Sequence, residues 1–200
     1  MEYDMAYDYI RENFFYILNE EDFTVKSILD SAKILVKTKG VKVVVIDPYN
    51  KLEHKYTDSE TQYISRFLDQ IISFAKLNNV LVFLVAHPKK MNKDAKGCIE
   101  TPSLYDISGS ANFYNKTDYG FTVHRRMDGN NVMMNEVDVH FQKIKYKHLG
   151  EQGVVNIKYS YRTGRFYNGI IDETNWLVPG LKPVQKLNPN LDFDENEPPF

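Results

Sequence analysis

Two short apolar runs stand out along the chain, and both predict strands of a parallel sheet. Residues 41–47 (VKVVVID) and 80–86 (VLVFLVA) are almost continuously hydrophobic and rich in β-branched residues. Such runs are typical of strands that are buried on both faces. Hydrophobic residues recur at helical spacing before and between them, at 25–39 and 60–77. The first half of the chain therefore predicts alternating helices and strands, the pattern of an α/β fold with a mostly parallel sheet.

Residues that favour helix ends support these assignments. Thr24 precedes the first of the two helices as an N-cap, and Gly40 follows it where a C-terminal glycine is common. One of residues 57–59 caps the second helix, and Asn79 ends it.

The second half predicts a different arrangement. A lysine-rich loop at 89–102 leads to a short helix near 110–116 and a strand at 119–125, and residues 137–160 alternate in polarity as in an antiparallel hairpin. Pro, Asn, Asp and Glu then dominate the end of the sequence. We therefore expect one domain over 1–168 and a mobile acidic tail over 169–200.

Charge and composition exclude several classes of protein. With 25 basic and 27 acidic residues, the net charge of -2 argues against a protein that coats nucleic acid through overall positive charge. One cysteine excludes a disulfide framework and a cysteine-based zinc site, and predicts a cytoplasmic location. No apolar run approaches the length of a membrane span, so no membrane association is expected.

Two side chains carry the first candidate site. Asp47 and His87 each follow one of the buried strands, so they are expected at the same edge of the sheet, where ligands bind in open α/β folds. An aspartate there holds Mg²⁺, and a histidine there contacts a phosphate or a polarised water. The structural alternatives are a turn-capping aspartate and a solvent-facing loop histidine.

Two weaker candidates lie further along the chain. Gly109 and Ser110 open a short helix whose N-terminus could receive an anion, although a plain glycine turn explains them too. Lys143, Lys145 and Lys147 are expected on one face of a strand as a row of phosphate contacts. Their alternative role is to protect an exposed strand edge from aggregation.

Taken together, four segments resemble the RecA-like motor domain of the DnaB-like replicative helicases, in particular the phage primase-helicase and Twinkle-type branch associated with TOPRIM primases. Each segment alone is a weak motif, but all four occur in the family's order over about residues 1–168. The segments are VVVIDPYNKLEH, VFLVAHPKK, SGSANFYNKTDYGFTVHR and KIKYKHLGEQGVVNIKYSYRTGRFYN.

The resemblance implies a role for each matching residue. Asp47 matches the Mg²⁺-associated acid at the end of the Walker B strand, and His87 matches the γ-phosphate sensor. Lys145 and Lys147 match the basic pair that reaches the nucleotide of a neighbouring subunit, with Lys147 at the position of an arginine finger. The residues implied to face DNA are Gly109, Ser110, Asn115, Lys116 and Arg125.

The resemblance also implies cofactors and partners. The complete motor uses ATP and Mg²⁺, forms a hexameric ring, moves along single-stranded DNA and works with a TOPRIM-type primase. Such a motor acts in the cytoplasm of a bacterium or of a phage-infected cell.

One motif of the family is not present in the sequence. The P-loop string G-x-x-x-x-G-K-[ST] occurs nowhere in the 200 residues, and in the family both the P-loop and the catalytic glutamate lie upstream of the segment that matches Met1. We therefore expect negligible ATP hydrolysis and no tight nucleotide binding by this chain alone, so whether it is an enzyme by itself stays open. A fragment of a longer protein, a split-gene product and a degenerate relative all fit.

Two other functions remain as alternatives. A non-catalytic module that binds DNA or a helicase would bind DNA without ATP turnover. An unrelated α/β enzyme could use Asp47 and His87 as an acid–base pair, but the sequence supplies no nucleophile elbow or metal cluster for it.

Overall fold

The computed structural model describes residues 2–18, 22–54, 59–91, 99–107, 111–128, 132–161 and 164–168. The predicted tail at 169–200 and the pair Gly109–Ser110 lie outside these residues. The helices are α1 (Glu2–Asn13), α2 (Val25–Lys39), α3 (Glu60–Asn78) and α4 (Asn112–Lys116). The strands are β1 (Val43–Ile46), β2 (Leu81–Leu84), β3 (Tyr119–Met127), β4 (Met133–Ile144), β5 (Gly153–Ser160) and β6 (Arg165–Tyr167).

The chain divides into two compact units. The α/β unit comprises the described residues of 13–91 and 102–120, and the antiparallel unit comprises those of 1–12, 92–101 and 121–200. None of the described helices is long and apolar enough to cross a membrane.

The α/β unit contains the parallel pair that the sequence predicts. β1 and β2 are parallel neighbours, in a register that runs from Val43 opposite Leu81 to Ile46 opposite Leu84. This confirms the predicted α/β fold. The core beside the sheet is built from α2, α3 and α4, and Ile64 and Phe67 are its most deeply buried large side chains.

The ends of the two long helices follow from the predicted caps. The Thr24 hydroxyl accepts a hydrogen bond from the Ser27 amide, and Gly40 ends α2 in the left-handed region at φ 70°. Ser59 is the N-cap of α3, and Asn79 ends that helix at φ 50°. A left-handed residue lets the chain turn back sharply, and here it brings the end of each helix directly into the strand that follows.

The exposure of β1 and β2 corrects one expectation. The sequence predicts strands that are buried on both faces, but alternate residues of β1 are exposed and β2 is only half-buried on its better-covered side. Val45 is 59 % exposed and Phe83 is 38 % exposed. The apolar sequence of both strands favours a sheet that is covered on both faces. Among the described residues, only one face of this sheet is covered.

The antiparallel unit contains a four-stranded sheet with the order β3–β4–β5–β6. The predicted hairpin is its centre, where β4 and β5 pair antiparallel from Glu136 opposite Lys158 to Phe141 opposite Gly153. β6 then pairs with β5. β3 corresponds to the strand predicted at 119–125, and β6 is a strand that the sequence did not predict.

Candidate functional site

Asp47 and His87 lie at the same edge of the parallel sheet. β1 ends at Ile46 and β2 at Leu84, and these two residues are opposite each other in the register. Asp47 directly follows the first strand and His87 comes three residues after the second, and both are exposed. The carboxyl ends of parallel strands therefore present a carboxylate and an imidazole to solvent on one side of the sheet.

The turn after Asp47 is anchored by a buried tyrosine. Residues Tyr49–Lys51 form one turn of 3₁₀-helix, and Tyr49 is only 4 % exposed. Its ring centroid lies 5.1 Å from that of Phe67 and 5.2 Å from that of Phe113, both in edge-on geometry. This packing fixes the chain two residues beyond the carboxylate.

A histidine braces the same turn from the other side. His54 Nε2 lies 3.0 Å from the carbonyl oxygen of Tyr49, and His54 Nδ1 lies 3.0 Å from the hydroxyl oxygen of Tyr63. Since a carbonyl can only accept, His54 Nε2 donates to Tyr49, and Nδ1 shares a hydrogen bond with the Tyr63 hydroxyl. His54 thereby ties the turn after β1 to helix α3.

The main chain around His87 is fixed on both sides. The amide of His87 donates to the side-chain oxygen of Asn50 at 2.9 Å. Pro88 forms an antiparallel bridge with Ile107, and the amide of Lys89 donates to the carbonyl of Asp106 at 2.7 Å. The segment that follows β2 is therefore held by the turn after β1 and by the chain that leads towards α4.

Asp106 closes a small polar clasp next to this bridge. Its carboxylate accepts from the Ser103 hydroxyl at 2.7 Å and from the Ser103 amide at 2.8 Å, and Lys89 Nζ lies 3.3 Å away. These hydrogen bonds, that of the Ser103 side chain foremost, lower the pKa of Asp106 below its ordinary value. The clasp stays ionised at neutral pH and keeps the ammonium of Lys89 paired.

The residues predicted to face DNA are in different situations. Asn115 is exposed on α4. Lys116 Nζ lies 2.6 Å from Asp69 Oδ2 and also donates to the Ser65 carbonyl at 3.0 Å, so its charge is paired with an acid on α3. Arg125 lies in the antiparallel unit, where its guanidinium donates to the Met134 carbonyl and to the Tyr161 hydroxyl. The DNA-facing roles of these residues stay predictions.

The predicted row of three lysines on one strand face is wrong. β4 ends at Ile144, and the chain then bends before a 3₁₀ turn at Lys147–Leu149. Only Lys143 is therefore part of the strand. Lys145 and Lys147 are exposed beyond it, with Lys145 Nζ 5.3 Å from the centre of the Tyr146 ring. The role of Lys145 and Lys147 as cations donated to a neighbouring subunit stays a prediction.

Sequence reasoning missed a polar network inside the antiparallel unit. Asp138 is 8 % exposed, and it accepts from Arg126 Nε at 2.7 Å, from Arg126 Nη2 at 3.0 Å and from Asn156 Nδ2 at 2.9 Å. The hydrogen bond from Arg126 is the main reason why the pKa of Asp138 is lowered and that of Arg126 raised. The only signal in the sequence was opposite charges on neighbouring strands, which does not reveal pairing without the register.

Two histidines lie close to this network. Burial lowers the pKa of His124, and the neighbouring His140 lowers it further. The Nε2 atom of His140 is itself buried and has no hydrogen-bond partner among the described residues. Folding therefore favours the neutral form of His124, because burial penalises its charged form.

The site at the sheet edge fits a Mg²⁺-nucleotide in its donor chemistry. Mg²⁺ in nucleotide sites is held by one or two carboxylates together with phosphate oxygens and waters. Asp47 supplies one exposed carboxylate, and within the described residues no group of three or more metal-ligating side chains forms a self-sufficient metal site. A Mg²⁺ ion held here by one protein carboxylate would take its other oxygens from phosphates and waters.

Comparisons with known proteins agree with one another. The family model for the DnaB-like helicase C terminal domain matches residues 2–168. A Twinkle homolog protein, chloroplastic/mitochondrial, of Arabidopsis thaliana is 36 % identical over 169 residues, which make up 82 % of this chain and 23 % of the relative.

Two solved structures share the fold. The ATPase domain of G40P is 22 % identical with a TM-score of 0.67, and the match covers 84 % of this chain and 59 % of that one. A DnaB-like replicative helicase, whose structure was described with its interactions with primase, is 22 % identical with a TM-score of 0.64, covering 84 % and 41 %. The chain thus spans about a quarter of the Arabidopsis relative and about half of these solved chains.

Proposed function

Because this chain belongs to the DnaB-like helicase C-terminal domain family, we propose that it is the carboxyl-proximal part of a replicative DNA helicase motor, in which ATP hydrolysis drives unwinding. In this proposal residues 1–168 form the motor portion, and 169–200 form a tail. One observation carries the assignment. Asp47 and His87 stand exposed at the carboxyl ends of two adjacent parallel strands, on turns that are fixed by packing and hydrogen bonds.

The roles of these two residues follow from their chemistry. Bound Mg²⁺-ATP supplies the phosphoryl group to be transferred to water. The Asp47 carboxylate offers oxygens to the metal or to its waters, and the His87 imidazole offers a hydrogen-bond donor to a terminal phosphate oxygen. A side chain that contacts only the terminal phosphate reports whether hydrolysis has occurred.

The exposed basic turn supports a role between subunits. Lys145 and Lys147 stand in solvent beyond the end of β4, and in a ring we propose that they approach the phosphates of a neighbouring subunit. Lysine lacks the planar fork with which arginine binds two phosphate oxygens at once. We therefore expect Lys147→Arg to raise turnover in an assembled ring.

The partners and the location belong to the same proposal. Single-stranded DNA would contact the segment from Gly109 to Lys116 and the end of the strand at Arg125. Self-association as a hexamer and contact with a TOPRIM-type primase are proposed from the family, since primase interaction is described for one solved relative. The cytoplasm of a bacterium or phage-infected cell is the proposed site of action, although the Arabidopsis relative carries an organellar name.

A complementation experiment tests this function. A segment of a family member that carries a P-loop and the catalytic glutamate is fused ahead of residue 1, and this fusion protein is compared with the 200-residue chain. We expect negligible ATP turnover by the chain alone, and turnover stimulated by single-stranded DNA in the fusion protein. Replacing the P-loop lysine of the added segment is the control for contaminating ATPases.

The other outcome defines the alternative. A fusion protein that folds, binds DNA and fails to hydrolyse ATP would favour a non-catalytic module that binds DNA or a helicase. Turnover at ordinary enzyme rates by the 200-residue chain itself would contradict both functions.

A further inference from the structure

The hydrogen-bond ladder between β1 and β2 continues beyond the ends of both strands. The Val85 amide donates to the Ile46 carbonyl at 2.9 Å, and the Tyr49 amide donates to the Val85 carbonyl at 2.7 Å. A regular parallel ladder would use the amide of residue 48 for the second bond, but Pro48 has no N–H. The ladder therefore skips one residue at Pro48.

This skip leaves the next donor, the amide of His87, without a main-chain acceptor. The Pro48 carbonyl, which a regular register would offer, instead accepts from the Lys51 amide at 3.1 Å within the 3₁₀ turn. The side-chain oxygen of Asn50 takes its place and accepts from the His87 amide at 2.9 Å. Asn50 thus replaces a backbone acceptor in the ladder that joins the chain after Asp47 to the chain at His87.

The position of Asn50 is itself well determined. It follows Tyr49, whose ring is buried in the core and whose carbonyl is held by His54 Nε2 at 3.0 Å and by the Leu52 amide at 3.1 Å. On its other side, His87 precedes the bridge of Pro88 with Ile107. A rotation of the main chain at His87 would break its hydrogen bond to Asn50.

We infer that Asn50 is a positioning residue for the motor, which acts through His87 by fixing its main chain relative to Asp47. The inference rests on the proposed function of His87 as the phosphate-contacting group. Asn50 supplies one acceptor oxygen, and it fixes the point from which the imidazole projects. Without that oxygen the imidazole is still present, but the main chain that carries it is no longer held by this hydrogen bond.

Hydrogen exchange tests the structural half of the inference in the 200-residue chain. Asn50→Ala removes the acceptor, so the His87 amide is expected to exchange about five- to tenfold faster. Asn50→Asp keeps an acceptor oxygen at the same place and is expected to restore slow exchange. Asn78→Ala is the matched control, because Asn78 also bonds a main-chain group, the Phe74 carbonyl at 2.8 Å, at the far end of α3. An unchanged His87 amide in Asn50→Ala overturns the inference.

Turnover by the fusion protein tests the functional half. Asn50→Ala is expected to lower kcat about tenfold or more, with little change in KM for ATP, because binding does not need an aligned imidazole. In a His87→Ala background the same substitution is expected to cause no further loss, since a residue that acts through His87 has nothing left to position. A further loss of similar size in that background would show an independent role and overturn the inference.

The two failures can be told apart. If His87→Ala leaves turnover unchanged, the proposed function of His87 has failed, whatever Asn50 does. If His87→Ala abolishes turnover and Asn50→Ala leaves it intact, the proposed function stands and the positioning role of Asn50 is refuted.

Discussion

Replacing His54 tests how the turn behind Asp47 is held together. The ring makes hydrogen bonds to the Tyr49 carbonyl and to the Tyr63 hydroxyl, both at 3.0 Å, and its centroid lies 4.4 Å from that of Tyr49. Each lost hydrogen bond costs about 0.5–1.5 kcal/mol. Each aromatic contact adds about 0.5–1.5 kcal/mol beyond buried area. We therefore expect His54→Ala to lower the free energy of unfolding by about 2–4 kcal/mol.

A second variant separates the two contributions. His54→Phe keeps an aromatic ring of similar size but makes neither hydrogen bond, so its cost is expected at about 1–3 kcal/mol. Urea-induced unfolding followed by circular dichroism measures both values. His148→Ala, at an exposed position of a 3₁₀ turn, is the control and is expected to stay within about 0.5 kcal/mol of the unaltered chain.

The local consequence is also measurable. Loosening the brace is expected to speed amide exchange at Tyr49 and His87 more than elsewhere in the α/β unit, because both amides belong to the extended ladder. If His54→Ala were no less stable than His148→Ala, the structure assigned to this turn would be wrong.

Three further predictions concern other parts of the molecule. A Cβ at Gly120 would overlap the buried side chain of Leu104, so Gly120→Ala is expected to lower the free energy of unfolding in urea by about 1–3 kcal/mol. A Cβ at Gly153 meets nothing within 4 Å, so Gly153→Ala should be nearly neutral. Equal effects of the two substitutions would contradict the packing at Gly120. Burial lowers the pKa of His124 in the folded state, so below about pH 6.5 the unfolded chain binds more protons and the stability falls as the pH falls. His124→Gln should therefore lessen the drop in the urea midpoint between about pH 7.5 and about pH 5.5. An undiminished drop would exclude His124 as its source. If Lys116 contacts DNA, Lys116→Gln should lower the slope of log affinity against log salt for a labelled oligonucleotide by about 0.7, and an unchanged slope would remove this residue from the interface.

The sequence was most informative where a residue's role depends on its neighbours in the chain. Thr24 and Gly40 act as predicted at the ends of α2, because caps depend on local backbone geometry. The pairing of residues 43–46 with 81–84 followed from their composition and from the helix between them. These local signals were sufficient to bring Asp47 and His87 to one edge of the sheet.

The sequence was least informative where a role depends on register or on the end of an element. The row of lysines failed because β4 ends at Ile144, and alternation alone does not say where a strand stops. Asn50 was missed because its partner is reached only once Pro48 displaces the ladder by one residue. His54 was missed because its partners depend on how the turn after β1 packs against α3. The sequence alone does not show that the side chain of a polar turn residue accepts a hydrogen bond from a main-chain ladder.

The central claim is that Asp47 and His87 act on the same nucleotide, and site variants of the fusion protein test it most directly. In the proposed site, Asp47→Asn would keep the shape of the side chain but weaken the hold on Mg²⁺, and His87→Ala would remove the phosphate contact. We expect each to lower DNA-stimulated ATP turnover at least about a hundredfold. Asp30→Asn, at an exposed position of α2 where the carboxylate pairs with Lys26, should leave turnover unchanged. Full turnover in Asp47→Asn or in His87→Ala would contradict the account.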